Sequence, residues 1–359
     1  MIVRNEAHII TETLDSVSSR IDYWVIVDTG SDDGTIQLVQ SYFREKRVPG
    51  ELHERPWKNF GDNRTEALDL CRGKADYIWV IDADDLLIGN LDLSELKLDS
   101  YLLKFDLDVT YWRKQIFRSG LPWVYRGVVH EYPLCLEASS TEGRINGDYY
   151  IESRRLGHRN LAPDKCLQDA RLLHQSLVET PDDARTVFYL AQSYFDSHVL
   201  DQALHYYTLR SKMGGWDEER YYALLCRAIC LELLGQAWPV CQEAYLAAWR
   251  SRTSRVEALH QIIRRLRLDR RFDLGYIFAK TASQIPYPER DVLFVAAELH
   301  AWRIQDELSI CAYYIKRYRE SFDICTRLLE NKRVPEHERA RIIANREFSI
   351  PHIKDETSF

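Results

Sequence analysis

Residues Tyr77 to Ile81, Y-I-W-V-I, form an uncharged run of β-branched and aromatic side chains that ends abruptly in three carboxylates, Asp82, Asp84 and Asp85. Such a run suits a strand buried on both faces of a parallel sheet, and in open α/β sheets ligands bind at the carboxyl ends of strands. Carboxylates this close repel one another, so the cluster is stable when solvated or when a cation neutralises it. Hard oxygen ligands on a short loop suit Mn2+ or Mg2+ shared with a substrate diphosphate. A solvated turn with an Asp capping the next helix would use the same residue types, so the surrounding sequence has to decide.

That context is regular. Met1 to Arg4 reads as the stub of a strand, followed by N-E-A-H and a helix with Ile9, Ile10, Leu14 and Val17 on one face. Tyr23 to Val27 reads as a second buried strand running into D-T-G-S-D-D-G-T, Asp28 to Thr35. Gly30 and Gly34 allow tight turns, and Ser31 with Asp32 or Asp33 can cap the helix that carries Ile36, Leu38 and Val39. A strand ending in Asp beside a helix N-terminus can offer its carboxylate to a nucleoside while backbone amides face phosphate. Pro56 to Arg72 is a loop leading into a helix, with Asn63 and Arg64 near its start. A cation there is unfavourable for the helix dipole, which gives a bound anion as a motive for Arg64. Strand, helix, strand, helix, strand in this order predicts an α/β sheet.

Taken together, M-I-V-R-N-E, V-I-V-D-T-G-S-D-D-G-T, W-x-N-F-G-x-N-R and V-I-D-A-D-D resemble, in order and spacing, the N-terminal domain of family 2 glycosyltransferases with the GT-A fold. The resemblance covers roughly residues 1–160 and implies transfer of a sugar from a nucleoside-diphosphate donor, with uridine as the expected nucleoside. By the same resemblance Asp28 contacts the nucleobase and Val3, Arg4, Asn5 and Glu6 line the nucleoside pocket. Asn63 and Arg64 lie near the nucleotide, Asp82 near the ribose and sugar, and Asp84 on the metal, with Asp82 sharing it. Family members usually carry several residues ahead of the M-I-V-R-N-E motif to complete the first strand. Here Met1 lies inside it, which is expected to weaken the edge of the nucleotide pocket.

Alternation predicts further strands over Tyr101 to Val109 and Trp123 to Tyr132. The second contains V-H-E, an element this transferase subgroup shares. An inverting transferase needs a carboxylate to take the acceptor's proton as it attacks the anomeric carbon. Glu131 is the expected base, Asp85 its reserve, and His130 an expected substrate contact. His158, in R-L-G-H-R-N, corresponds to a late histidine that in the family often ligates the metal or contacts the diphosphate. Trp123, like Trp112, is expected to stack on sugar or acceptor unless strand packing claims it.

From about Asp164 strands disappear and helical periodicity runs on, with self-similarity near 35 residues, the length of a tetratricopeptide-like hairpin. Units are expected over V-F-Y-L-A-Q-S-Y-F with Leu204 to Tyr207, over Y-Y-A-L-L-C-R to A-Y-L-A-A-W, over Val256 to Ile285, and over Glu307 to Leu329. A frayed tail is expected after Ile350. L-A-Q-S-Y-F, G-G-W-D-E-E and P-Y-P-E-R-D-V-L-F also resemble the helical-repeat tails of some family 2 transferases. Such repeats bind peptides or form homo-oligomers. The arginines from Arg250 to Arg271 are expected to pair with acids on a solvated face, or else to meet an anionic acceptor.

The expected fold is therefore an α/β GT-A, Rossmann-like mixed sheet over residues 1–160 followed by an all-α tetratricopeptide-like repeat domain over 161–359. A net charge of −7 argues against a general nucleic-acid binder. No uncharged segment is long enough to span a membrane, and the scattered cysteines lack zinc spacing, so a cytoplasmic protein, at most peripheral to a membrane, is expected. The acceptor, a protein, a glycan or another polymer, is not legible. A repeat-based binding scaffold with a degenerate catalytic domain and a nucleotidyltransferase are the rival readings.

Overall fold

In the computed structural model, which describes residues 1–105, 111–137 and 139–356, the chain divides into two compact units, 1–189 and 190–359. Strands cease near the expected boundary at 160/161, whereas the compact units divide at 189/190.

In the first unit β1 (Ile2–Val3), β2 (Trp24–Asp28) and β3 (Gly50–Glu54) make a parallel sheet in the order β1-β2-β3. The crossovers are α1 (Ile10–Val17) and α2 (Thr35–Lys46). α1 forms where the apolar spacing predicts it and buries Ile10, Leu14 and Val17. Each such side chain contributes about 1.5–3 kcal/mol of burial. Asp33 accepts the Thr35 N–H at 3.0 Å and so serves the first turn of α2. Asn59 caps α3 (Phe60–Cys71) by accepting the Asp62 N–H at 2.8 Å.

A second, mixed sheet holds β4 (Tyr77–Trp79), β5 (Asp85–Gly89), β6 (Ser100–Phe105), β7 (Tyr111–Arg118), β10 (Glu142–Arg144) and β11 (Tyr149–Ser153), with β8 (Trp123–Arg126) and β9 (Tyr132–Cys135) as a separate hairpin between β7 and β10. Two expectations are corrected here. The Tyr77 to Ile81 run is not a central parallel strand: β4 is short, lies at a sheet edge and pairs antiparallel with β7. Trp123 to Tyr132 is not one strand but two, because Gly127, at φ 101, reverses the chain between them. The strand expected over Tyr101 to Val109 is β6 as far as Phe105; residues 106–110 lie outside the described residues. The unit ends in α4 (Lys165–Glu179) and the start of α5 (Ala184–Asp196).

The second unit is a series of helical hairpins. The remainder of α5 meets α6 (Leu200–Ser211) through Tyr194 stacked on Tyr206. α7 (Asp217–Leu233) with α8 (Trp238–Ser251), α9 (Glu257–Leu268) with α10 (Phe272–Ala282), and α11 (Ile304–Tyr314) with α12 (Tyr318–Glu330) follow the expected repeat units. Ala191 and Ala228 are fully buried, as close helix approach requires. α13 (Glu336–Glu356) packs on α12 and continues through Pro351, so the tail expected to fray after Ile350 is helical to Glu356. Arg255, fully buried, reaches the carbonyls of Leu293 and Phe294 and pairs with Glu257, pinning the irregular chain between α10 and α11. Arg250, Arg252, Arg264, Arg265 and Arg267 likewise hold Glu243, Asp291, Glu232, Asp269 and Glu307. Six cysteines, Cys135, Cys226, Cys230, Cys241, Cys311 and Cys325, are buried thiols; Cys71 and Cys166 are half-buried thiols. No described helix is long and apolar enough to cross a membrane.

Candidate active site

Two turns meet at the ends of β1 and β2. In register, Val3 sits opposite Asp28, and the Val3 carbonyl accepts both the N–H and the hydroxyl of Thr29. Asn5, at φ 57, gives its N–H to the Ser31 hydroxyl and accepts the Asp32 N–H, both at 2.9 Å. Glu6 N–H reaches the Thr35 hydroxyl at 2.9 Å. The structure thus brings Val3, Asn5 and Glu6 against the Asp28 turn, while Arg4 is exposed.

Asp28 is 1% exposed. Its Oδ1 accepts the N–H groups of Gly30 and Ser31 at 2.9 Å, but Oδ2 has no partner among the described residues. A buried acceptor left unmade costs about 1–3 kcal/mol, so a ligand N–H is the natural complement.

The acid cluster splits by environment. Asp82 is held by Arg64 and, at 3.3 Å, by Arg113 of β7. Burial works against its ionisation, but the two guanidiniums outweigh it and hold Asp82 below the usual carboxylate range. Arg64, 7% exposed, also donates Nε to Glu131 Oε1 at 2.6 Å, and burial is outweighed by Asp82 and Glu131 in keeping it charged. One guanidinium therefore spans Asp82 and Glu131. Asp85 is fully buried and neither oxygen has a hydrogen bond of good geometry. Burial first, and then the neighbouring Asp82, push its carboxyl up to about 7, with Ser153 a weak stabiliser of the charged form.

Asp84, 9% exposed, accepts the Gly157 N–H at 2.9 Å and lies 3.5 Å from the Asn160 amide. The His158 N–H turns to Glu6, at 3.2 Å from Oε2. Burial first, with Asp84 nearby, pushes Glu6 up to about 7 against the pull of that bond. The 156–160 turn therefore sits on Glu6 and Asp84 together. A Cβ added at Gly157 would lie 3.3 Å from both Asp84 Oδ2 and Glu6 Oε1. This small cradle between two carboxylates fits a divalent cation held through Asp84, with Glu6 beside it and substrate oxygens completing the shell. Among the described residues no three His, Cys, Asp or Glu side chains gather into a ready-made cage. Asp82 does not fit the role of ligand, since two arginines occupy it, and His158, exposed, is seen to contribute its backbone amide.

Two further expected residues are placed elsewhere. Asn63, fully buried, accepts the Lys58 N–H at 2.9 Å and donates to the Pro56 carbonyl at 3.1 Å, so its amide fastens the loop before α3 and does not line the site. Trp123, 2% exposed, packs with Leu68, Ile78 and Phe117, which makes its ring core and not a stacking platform. His130 stacks on Tyr189 with centroids 4.2 Å apart, and Arg185 donates to its carbonyl at 3.2 Å. Arg113, Gly157 and Asn160 are site residues that the sequence reading missed. Arg113 has no motif around it, whereas Gly157 and Asn160 flank His158 within R-L-G-H-R-N, the one available signal.

The family model described as "Glycosyl transferase family 2" matches residues 1–96, which hold Asp28, Arg64 and the acid cluster. A search of the curated proteins finds no match. Among solved structures, the chain is similar to the Cut9–Hcn1 hetero-tetramer of APC/C at 14% identity and TM-score 0.37, over 53% of this chain and 34% of that one, so it spans about a third of that relative's length. The C-terminal part of a TPR repeat-containing protein from Cytophaga hutchinsonii gives 16% identity and TM-score 0.41, over 53% of this chain and 72% of that one. BtubC from P. vanneervenii gives 10% identity and TM-score 0.41, over 53% and 82%. The site geometry and the match over its residues lead to one assignment: the chain carries a family 2 glycosyltransferase domain, followed in sequence by a domain of helical hairpins.

Proposed function

We propose that the protein transfers a sugar, with inversion, from a uridine diphosphate donor to an acceptor, with a divalent cation, Mn2+ or Mg2+, bound at Asp84. The observation that carries the reading is the buried, unpartnered Oδ2 of Asp28 beside the Asn5 and Ser31 turns. A uracil imide N–H is a donor suited to it.

The chain's own groups divide the work. Asp28 orients the base, and the Arg64 guanidinium holds Asp82 and Glu131 in fixed relation. The bond from the anomeric carbon to the diphosphate oxygen breaks as the acceptor's oxygen, nitrogen or sulfur bonds to that carbon from the opposite side. The acceptor proton passes to a carboxylate, Glu131 in this reading with Asp85 in reserve, and the nucleoside diphosphate departs. A bound cation would neutralise the charge that develops on the leaving diphosphate.

Calorimetric titration with UDP and UDP-sugars, with and without Mn2+, tests this reading. Asp28→Asn keeps the Oδ1 acceptor for Gly30 and Ser31 but presents an amide to the base. It is expected to weaken UDP binding by about tenfold or more, since a hydrogen bond to a charged group contributes about 1.5–3 kcal/mol. Unchanged UDP affinity in this variant would remove Asp28 from the nucleobase. Glu131→Gln is expected to bind donor normally yet lose transfer; near-normal turnover would pass the role of base to Asp85.

A further inference from the structure

Glu131 lies between two exposed neighbours, His130 and Tyr132, yet its own side chain is 8% exposed. The chain reaches this arrangement through a bend. His130 has φ 52, in the left-handed region, which costs a residue with a side chain about 1–2 kcal/mol. Such a conformation persists where the surrounding contacts over-determine it. Here those contacts come from one element.

Both neighbours of Glu131 are gripped by the first two turns of α5, residues 184–189, which belong to the first unit. Asp183 accepts the Arg185 N–H at 3.0 Å and the Thr186 hydroxyl at 2.6 Å, fixing the start of that helix. Four residues apart, Arg185 and Tyr189 then share one face. Arg185 Nη2 donates to the His130 carbonyl at 3.2 Å and to the Tyr189 hydroxyl at 3.4 Å. Its guanidinium lies over the rings of Tyr132 and Tyr189, 4.7 and 4.8 Å from their centroids. The His130 ring stacks on Tyr189 with 9° between the planes. The Glu131 carboxylate is itself held by Arg64 of α3. Helix α5 therefore fixes the backbone on either side of Glu131, and α3 fixes its carboxylate.

Because His130 and Tyr132 stay exposed, the grip buries little apolar surface and adds little stability by that route. What it does set is the bend at His130, and with it the direction in which Glu131 leaves the backbone. A reacting group misplaced by about 1 Å can cost about 100-fold in rate.

We propose that Arg185 and Tyr189 are positioning residues for Glu131: they hold His130 in its left-handed bend and so aim the Glu131 carboxylate at the acceptor. The proposal rests on the reading of Glu131 as base and gives neither residue a contact with the donor.

The test uses the full chain with Tyr189→Phe, Tyr189→Leu, Arg185→Lys and Arg185→Ala. Phe keeps a ring for both His130 and Arg185, whereas Leu removes it; Lys keeps the charge of Arg185 but not its planar fork. The first readout needs no substrate: exchange of the Arg64 Nε–H, followed by nitrogen NMR and assigned through Arg64→Lys. Tyr189→Leu and both Arg185 variants are expected to speed it at least about tenfold, as the bond to Glu131 opens more often, while Tyr189→Phe leaves it unchanged. UDP affinity with Mn2+ is expected to be unchanged in all four. UDP release from UDP-glucose, with water as acceptor, is expected to lose at least about tenfold in kcat at constant KM in the three disruptive variants, and to be retained in Tyr189→Phe. Arg185→Lys, the mildest loss, keeps the test open if Tyr189→Leu does not fold. Unchanged Arg64 Nε–H exchange in the disruptive variants overturns the proposal, as does parental turnover in them where Glu131→Gln has lost it. Turnover retained by Glu131→Gln fails the base reading instead and takes the aiming role with it. Where the parent chain leaves UDP-glucose intact, the exchange readout decides alone.

Discussion

At the scale of single residues, the candidate site rests on how each carboxylate is kept. Asp82 is paired with two arginines, Asp84 accepts a backbone and an amide donor, and Asp85 is buried with no well-formed hydrogen bond to either oxygen. Gly157 matters because it leaves room between Asp84 and Glu6. Its φ of −56° suits any residue, so Gly157→Ala brings no backbone strain and its methyl group meets the two carboxylates directly. The expected outcome is a roughly tenfold loss, ~1.4 kcal/mol, in Mn2+-dependent UDP affinity by calorimetry, with the urea midpoint nearly unchanged. Equal affinity with and without the methyl group would place the cation elsewhere. The acids themselves were legible in the sequence, because an apolar strand ending in carboxylates is a local pattern. Their partners were less so: Arg113 and Gly157 reach Asp82 and Asp84 across the chain, nothing near Arg113 announces it, and near Gly157 the sequence pointed to the His158 side chain and not to the backbone. Trp123 and Asn63 were misplaced for the complementary reason, that a motif position does not tell whether a side chain points into a pocket or into the core.

At the scale of elements, the W-x-N-F-G-x-N-R segment sets Arg64 in position by packing the first turn of α3 on the turn between β8 and β9. The Phe60 N–H donates to the Val128 carbonyl at 3.1 Å, and a Cβ on Gly61 would fall 2.4 Å from the Gly127 carbonyl. Gly61→Ala must therefore push α3 away from the turn that leads into Glu131. A loss of about 1–3 kcal/mol in stability is expected, the range for forced overpacking, read as a lower urea midpoint with unchanged slope. A midpoint equal to that of the parent chain would show that the turn yields freely. Periodicity read the helices well, from the Ile10, Leu14 and Val17 face of α1 to the hairpins of the second unit. It read the strands less well. An apolar run such as Tyr77 to Ile81 looks the same whether it ends up central and parallel or at an edge, and a lone glycine after Arg126 was too slight a signal against strong β-formers on both sides.

At the scale of the whole molecule, pH acts through buried histidines as well as through the site. In the second unit, burial and the nearby Arg303 and Arg264 push His260 down to about 4 from an ordinary 6.5. Above pH 6.5 folded and unfolded chains both carry it neutral. As pH falls toward 4 only the unfolded chain takes up the proton, so the stability it contributes is present above 6.5 and lost across that window. The loss is expected to reach ~1–2 kcal/mol once partial solvation of the ring is allowed for, and His260→Gln should flatten the fall in urea midpoint between pH 7 and pH 4.5. An identical slope in the variant would assign the acid sensitivity to other groups. The arginine-rich stretch, whose pairing with acids could be anticipated from composition, is largely spent on internal bonds to Asp291, Glu257, Glu232 and Glu307. The six sealed thiols carry a different consequence. A thiol reacts only while its surroundings are open, and these thiols are spread from Cys135 in the hairpin of the first unit to Cys325 in α12. Each is thereby a clock set into its own piece of the structure, and the order in which an alkylating reagent stops them ranks the pieces by how often they breathe.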